Sequence, residues 1–187
     1  MKAKTYKITA PAMRLRSGLR APKTELKVVY YERQVGVPWA VMRPLVACAF
    51  RHVQREGFKD LKVNFIDRNR NNVSLLYLHK SGRGWWGRNM GVRSRVFIGH
   101  LHTKPWQTTY PKFRDMPVFW HKDWKEHVVG LMAHELFHRW QPGTGKNAEF
   151  MCEMVEWDAI DAYRKQQGYV FVPPATAEHL EPVLKIA

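Results

Sequence analysis

The sequence predicts an α+β fold with an N-terminal helix, a small and mostly antiparallel sheet, and two helices at the C-terminal end. Three observations carry this. Leu45, Val46, Ala49, Phe50 and Val53 recur at the three- and four-residue spacing of a helix. Short alternating or β-branched runs follow between residues 61 and 98. From residue 124 onward, helical spacing returns with start and stop signals around it. With 187 residues the chain can bury one real core and is too short for two ordinary domains.

Residues 1–24 are rich in Lys and Arg, poor in large apolar residues, and contain Pro11 and Pro22. They read as a basic arm, mobile at least in part, set apart from a domain over residues 25–167. Leu26 to Tyr31 suits a strand, since Val and Tyr fit a pleated surface. Pro38 and Pro44 flank the start of the helix, which should run to about Glu56 and stop at Gly57.

Leu61, Val63 and Phe65 alternate with polar residues as a half-buried strand does, and 68–72 is a turn. Further strands are expected over 73–78 and 92–98. The connection between them, residues 81–87, contains Gly82, Gly84 and Gly87 in the spacing GxGxxG. A dinucleotide site needs a helix N-terminus after that spacing, and a strand follows here, so a hairpin loop is the better reading.

Residues 101–122 look irregular, with Pro105, Pro111 and Pro117 among aromatics, and could form one rim of a cleft. Asp123 can cap a helix from Trp124 to about Trp140. Asn147 can cap a last helix to about Gln167, closed by Gly168, and residues 168–187 read as an extended tail.

Charge is unevenly spread. Residues 1–104 hold 22 Lys/Arg against 5 Asp/Glu, and residues 105–187 hold 9 against 11, within a net charge of +15. A basic N-terminal half raises the expectation of an acidic partner, nucleic acid among them, against a merely basic solvated surface. The two cysteines, Cys48 and Cys152, are too few for a disulfide scaffold and fit a reducing, cytoplasmic setting. No apolar run approaches the roughly 18 residues of a membrane span, and no secretory leader is evident.

The chemistry concentrates in His134-Glu135-Leu136-Phe137-His138. Residues four apart on a helix share one face, so both imidazoles can reach one zinc ion. Glu135 is adjacent to the first ligand and can take a proton from water without itself filling a coordination position.

A catalytic zinc site needs a third protein ligand. On the last helix Glu149, Glu153, Glu156, Ile160 and Tyr163 fall along one face. Three stacked carboxylates repel unless a cation faces them, although charge runs on helices are usually only solvated. Glu149 is the preferred third ligand, with Glu153 orienting a zinc histidine. The competing assignment makes Glu153 the ligand and Glu156 the orienting group. Tyr163, His121 and His127 are candidates to stabilise an oxyanion. His100 and His102 sit two apart, with no companion ligand evident in the sequence.

These residues resemble a known pattern. HExxH followed by Asn147-x-Glu149-x-x-Cys152-Glu153 is similar to the gluzincins, in which a glutamate from the next helix completes the site. In thermolysin-like members an acidic residue four positions later orients a zinc histidine, a role the resemblance gives to Glu153. The segment from Glu149 to Glu153 also resembles the ExxCN or ExxAN segment of the ImmA/IrrE peptidase group. The likeness covers residues 124–164. It differs in spacing, with only ten residues between His138 and Glu149.

The helix–strand order is further similar to minimal zincins, in which the edge strand of the sheet lines the cleft; by that analogy the Arg93–Ile98 strand would bind an extended peptide. The basic charge and architecture resemble the SprT/Spartan group as well. That group uses a third histidine, and the first histidine after His138 is His179.

The resemblance implies a zinc metalloendopeptidase with one Zn2+ per chain and a protein or peptide substrate. Two readings compete with it. One is a protease directed to DNA- or RNA-bound proteins by the basic half. The other is a non-catalytic zinc module, although structural sites usually take four protein ligands, mostly cysteine.

Overall fold

The computed structural model describes residues 3–11, 13–14, 20–21, 24–59, 73–82, 84–90, 93–108, 119–138 and 145–174. The expected strand at 61–65, the turn at 68–72 and the final residues of the tail lie outside them.

The fold is α+β, with four helices, two of them C-terminal, and four antiparallel strand pairings out of six among the described residues. The main sheet has five strands: β1 (Lys4–Ala10), β4 (Thr24–Tyr30), β5 (Val73–Lys80), β7 (Arg93–Ile98) and β6 (Trp86–Met90), in that spatial order. Two short ribbons accompany it, β2 (Met13–Arg14) with β3 (Arg20–Ala21), and β8 (Trp106–Thr108) with β9 (Phe119–His121). The helices are α1 (Glu32–Val35), α2 (Trp39–Lys59), α3 (Trp124–Phe137) and α4 (Lys146–Gln167).

β4, β5 and β7 run parallel, and the outer strands β1 and β6 are antiparallel to their neighbours. A parallel pair needs a long crossover, and the chain between β4 and β5 contains α2. Burial alternates cleanly along β4 and β7, with Leu26, Val28, Tyr30, Ser94, Val96 and Ile98 facing inward. Helix α2 packs beneath β1 and β4, α3 packs beneath β6 and β7, and α4 lies against α3 and α2.

Four expectations are corrected. Lys4–Ala10 is a strand of the sheet with Ile8 and Ala10 buried, so this stretch of the basic N-terminal segment is integrated rather than set apart as an arm. Its pairing with β4 offsets the polarity that argued against order. The glycine-rich connection gives way to a strand, β6, and this strand, not Arg93–Ile98, is the sheet edge. β7 is held on both sides and offers no free edge. Helix α2 continues past Gly57 to Lys59. Helix α4 begins at Lys146 after Gly145, so Asn147 lies in its first turn rather than capping it.

Asp123 does cap α3, its Oδ1 accepting from the amides of Lys125 at 2.8 Å and Glu126 at 3.3 Å. Nearly the whole of α3 is buried, from Glu126 to Phe137. A helix that is covered all round places its polar residues where they need partners. Glu126, fully buried, accepts from Arg164 Nε and Nη2, each at 2.8 Å, from the Lys122 amide at 2.7 Å and from Tyr169 Oη at 2.7 Å. Burial opposes its ionisation, but these hydrogen bonds outweigh it and hold the carboxyl below its ordinary range. The clamp ties the start of α3 to the end of α4 and to the chain beyond it.

Candidate metal centre

Two facing helices build the site. His134 and His138 stand one turn apart in and just after the last turn of α3, and Glu149, Cys152, Glu153 and Glu156 come from α4. The helices approach closely at Gly130. A β-carbon there would lie 2.8 Å from both Glu156 Cγ and Ile160 Cδ1, so only a glycine lets α4 bring its carboxylates this near.

The two imidazoles face each other, with Nε2 to Nε2 at 3.2 Å. Glu149 spans them, Oε2 lying 3.4 Å from His134 Nε2 and Oε1 lying 3.6 Å from His138 Nε2. On the other side of the His134 ring, Nδ1 lies 3.4 Å from Glu153 Oε1 and 3.5 Å from Glu156 Oε2. The second nitrogen of His138, Nδ1, lies 3.4 Å from Cys152 Sγ.

These separations fit a zinc ion. Ligand atoms bonded at roughly 2.0–2.1 Å on the corners of a tetrahedron stand about 3.3 Å from one another. Both Nε2 atoms and the Glu149 carboxylate come close to that spacing, and each histidine keeps a further group on its other nitrogen, as orienting contacts to metal-bound histidines require. The groups His134–Glu149–Glu153 and His134–His138–Cys152 also bring three potential donor atoms within 4.8 Å. In the second group the sulfur approaches His138 through Nδ1, the ring nitrogen not turned toward Glu149.

The electrostatics favour a cation. Burial would depress the His134 pKa, yet Glu149, Glu156 and Glu153 together raise it well above that of a free imidazole. His138 is held below the ordinary value by burial and by neighbouring His134. Cys152 has its thiol pushed up by burial and then by the surrounding carboxylates.

Glu135 faces the cleft from the same turn of α3. Its carboxyl is pushed up to about 7 by burial, with Glu149 and Glu156 adding to the rise and His134 opposing it. Its Oε2 atom is buried without a hydrogen-bond partner among the described residues. The edge strand β6 is pinned against it. Asn89 Nδ2 and Ser94 Oγ both donate to the Glu135 carbonyl at 2.9 Å, and Gly87 passes directly over the carboxylate.

An open cleft of about 510 Å³ results, lined by Gly87, Arg88 and Asn89 on one side and by His134, Glu135, His138, Ala148 and Glu149 on the other. Glu149 is at the rim, with its side chain 41% exposed, whereas Glu153 and Glu156 are buried behind His134.

The remaining candidates lie elsewhere. Tyr163 is a core residue, and it does not line the cleft. Its position on the carboxylate face holds for helical spacing, but it lies two turns beyond Glu156, past the cleft floor. His121 and His127 are buried beneath Trp106, not exposed to substrate. His100 and His102 meet edge to face with ring centroids 4.6 Å apart and join no ligand group among the described residues. The sequence reading missed Gly87, Arg88, Asn89 and Ser94. The available signal was the alternation of Trp86 and Arg88 with Gly87 and Asn89, hidden within a glycine-rich segment.

No helix of the described residues is long and apolar enough to cross a membrane. No family model matches the chain, and no curated protein does. A solved structure similar to it is that of an aminopeptidase N family protein from Idiomarina loihiensis, with a TM-score of 0.37 and 11% identity over 73% of this chain. The chain spans 18% of the length of that protein. A likeness of that size assigns neither fold nor activity to this chain, whose own residues carry the case for a metal site.

Proposed function

We propose that the chain is a zinc metalloendopeptidase, in which His134, His138 and Glu149 hold the ion and Glu135 is the general base. The observation that carries this reading is the convergence of two imidazole Nε2 atoms and one carboxylate at 3.2–3.6 Å, with a second, buried carboxylate beside them in an open cleft. Bound there, zinc would polarise a carbonyl and make water acidic enough to react near neutral pH.

The chain's own groups do the rest. Glu135, with its pKa lifted toward 7, accepts a proton from the attacking water and hands it to the departing amine nitrogen. Glu153 and Glu156 lie 3.4 and 3.5 Å from His134 Nδ1, a buried nitrogen with no hydrogen bond among the described residues, and are the groups that would fix the tautomer leaving Nε2 free to bind metal. β6 ends the sheet, and its outer edge is where an extended peptide can add as a further strand. A non-catalytic zinc module would leave the buried Glu135 carboxylate without a purpose. Both cysteines are free thiols, which fits a cytoplasmic setting.

The test is Glu135→Gln. We expect it to keep its zinc and to lose peptide hydrolysis by about 10²-fold or more, the usual worth of a general base. A zinc-loaded Glu135→Gln protein that cleaves a mixed peptide library at the wild-type rate would remove this reading.

A further inference from the structure

The helices α2 and α3 pack against the main sheet, and Tyr77, Trp86, Arg88, Arg93, Arg95 and Phe97 alternate with its buried residues on the opposite side. Its outward side chains are ordered in rows by the strand register. One row runs Tyr31, His79, Phe97 and Trp86, ending at the sheet edge. The rings stack successively, with centroids 4.5, 5.2 and 3.7 Å apart and interplanar angles of 25°, 18° and 7°. The next row, two residues along each strand, runs Tyr77, Arg95 and Arg88 in register. Arg95 lies over the Tyr77 ring at 5.8 Å. Arg93 follows two residues further along β7 and is also exposed.

Two features need an occupant. The stack ends on Trp86, which is 39% exposed, and no described ring covers its far face. Arg88, Arg93 and Arg95 make no ion pair with a carboxylate among the described residues. Three like charges on adjoining strands repel, an arrangement that an anionic ligand reverses.

We propose that this sheet face binds single-stranded nucleic acid, with a base continuing the stack on Trp86 and phosphates held by Arg88, Arg93 and Arg95. Aromatic rings and arginines about 7 Å apart, the length of two strand residues, pair a stacking surface with an electrostatic one. A duplex keeps its bases inside and cannot reach the Trp86 face, so a single strand is preferred. The +15 net charge, concentrated in the half of the chain that carries this face, draws the polyanion toward it. β6 is shared: Trp86 is exposed on the outer face, Gly87 and Asn89 face Glu135, and Arg88 stands both in the outer row and at the wall of the cleft, so a bound strand would lie next to the cleft. Binding requires neither metal nor hydrolysis and stands apart from the peptidase reading.

The experiment is fluorescence anisotropy of the full chain with a labelled thymidine 20-mer at several salt concentrations. We expect the log of the affinity to fall with log salt at a slope near −2, as three neutralised phosphates give in a single strand. Trp86→Ala should weaken binding roughly tenfold or more, and Trp86→Phe, which keeps a stacking ring, should restore most of it. The triple variant Arg88→Glu, Arg93→Glu, Arg95→Glu should lose more than tenfold. The charge-matched control Arg43→Glu, Arg51→Glu, Lys165→Glu, on exposed positions of α2 and α4, should lose far less. Equal losses in the two triple variants, or wild-type affinity in a folded Trp86→Ala protein, would overturn the proposal. So would salt-insensitive, Trp86-dependent binding of an aromatic peptide with no binding of the 20-mer, which would assign the face to a protein partner.

Discussion

Gly87 of the edge strand and Glu135 of the buried helix are in such close contact that a single methyl group on Gly87 would overlap Oε1, Cγ and Cδ of the glutamate. The missing side chain is what allows β6 to close one wall of the cleft without displacing the proposed base.

Gly87→Ala should therefore leave zinc in place and cut hydrolysis at least tenfold. Overpacking of this kind usually costs about 1–3 kcal/mol of stability, because the strand or the carboxylate must move. Zinc content, peptide cleavage and a urea unfolding curve on the same sample separate the two effects. Unchanged cleavage would show that Glu135 has room the geometry denies it.

Metal content distinguishes the glutamates. Wild-type protein should hold one zinc per chain, and His138→Ala and Glu149→Ala should hold almost none. Glu153→Ala should retain zinc but release it to a chelator at about 10- to 100-fold lower concentration, as loss of an orienting group does. Elemental analysis with a chelator titration reads both. Loss of zinc in Glu153→Ala with retention in Glu149→Ala would exchange their roles.

The clamp at Glu126 can be tested without reference to activity. Arg164→Met leaves a buried carboxylate facing only Tyr169 and the Lys122 amide, and should cost about 3–5 kcal/mol. The double variant Glu126→Leu, Arg164→Met should be distinctly more stable than the single one, because no buried charge is left alone. Urea unfolding of the three proteins measures this. A double variant no more stable than Arg164→Met would mean that the arginine acts mainly through Trp120, whose carbonyl accepts from Nη2 at 2.9 Å.

Stability should fall on acidification above the range in which ordinary carboxylates titrate. His121 is fully buried, and its pKa is lowered to about 3, by burial first and Arg164 second. His127 is held well below its ordinary value by burial and then by His121. Both are neutral in the native protein, whereas in the unfolded chain they take up protons below roughly pH 6.5. Between that pH and about 3 His121 makes the unfolded state bind more protons, and His127 acts in the same direction, so their contribution to stability drops as the pH is lowered, by up to about 1.4 kcal/mol per pH unit for each histidine. Glu135, whose raised pKa makes the native state take up a proton first, offsets part of this loss. Glu126, whose pKa is depressed, adds to the loss at lower pH still. Denaturation midpoints at pH 7, 6 and 5 should decline in the wild type and more gently in His121→Gln. A flat profile would show that the pair is protonated or solvated in the native state.

The α+β class, both C-terminal helices and the Asp123 cap were legible in the sequence because each depends on neighbours a few residues away. The same is true of His134 and His138, whose four-residue spacing makes them face one way on any helix. The closeness of Glu149 to both imidazoles was only a preference in the sequence, since helical spacing serves Glu149 and Glu153 equally. The approach of α4 over Gly130 placed Glu149 between the Nε2 atoms and put Glu153 and Glu156 behind them.

Other features depended on contacts across the fold. β6 is a five-residue segment whose own preferences are weak, and it is a strand because β7 supplies its hydrogen bonds. The basic N-terminal residues carry little apolar content, yet Lys4–Ala10 is ordered by pairing along the whole of β4. The ring stack from Tyr31 to Trp86 joins residues 55 positions apart through register alone. The sequence by itself determined which residues could share a helix face, because that periodicity is local. Which helix faced which strand, and so which carboxylate met the histidines, was decided by the packing of distant segments, where burial and close approach select one arrangement from several that local spacing permits.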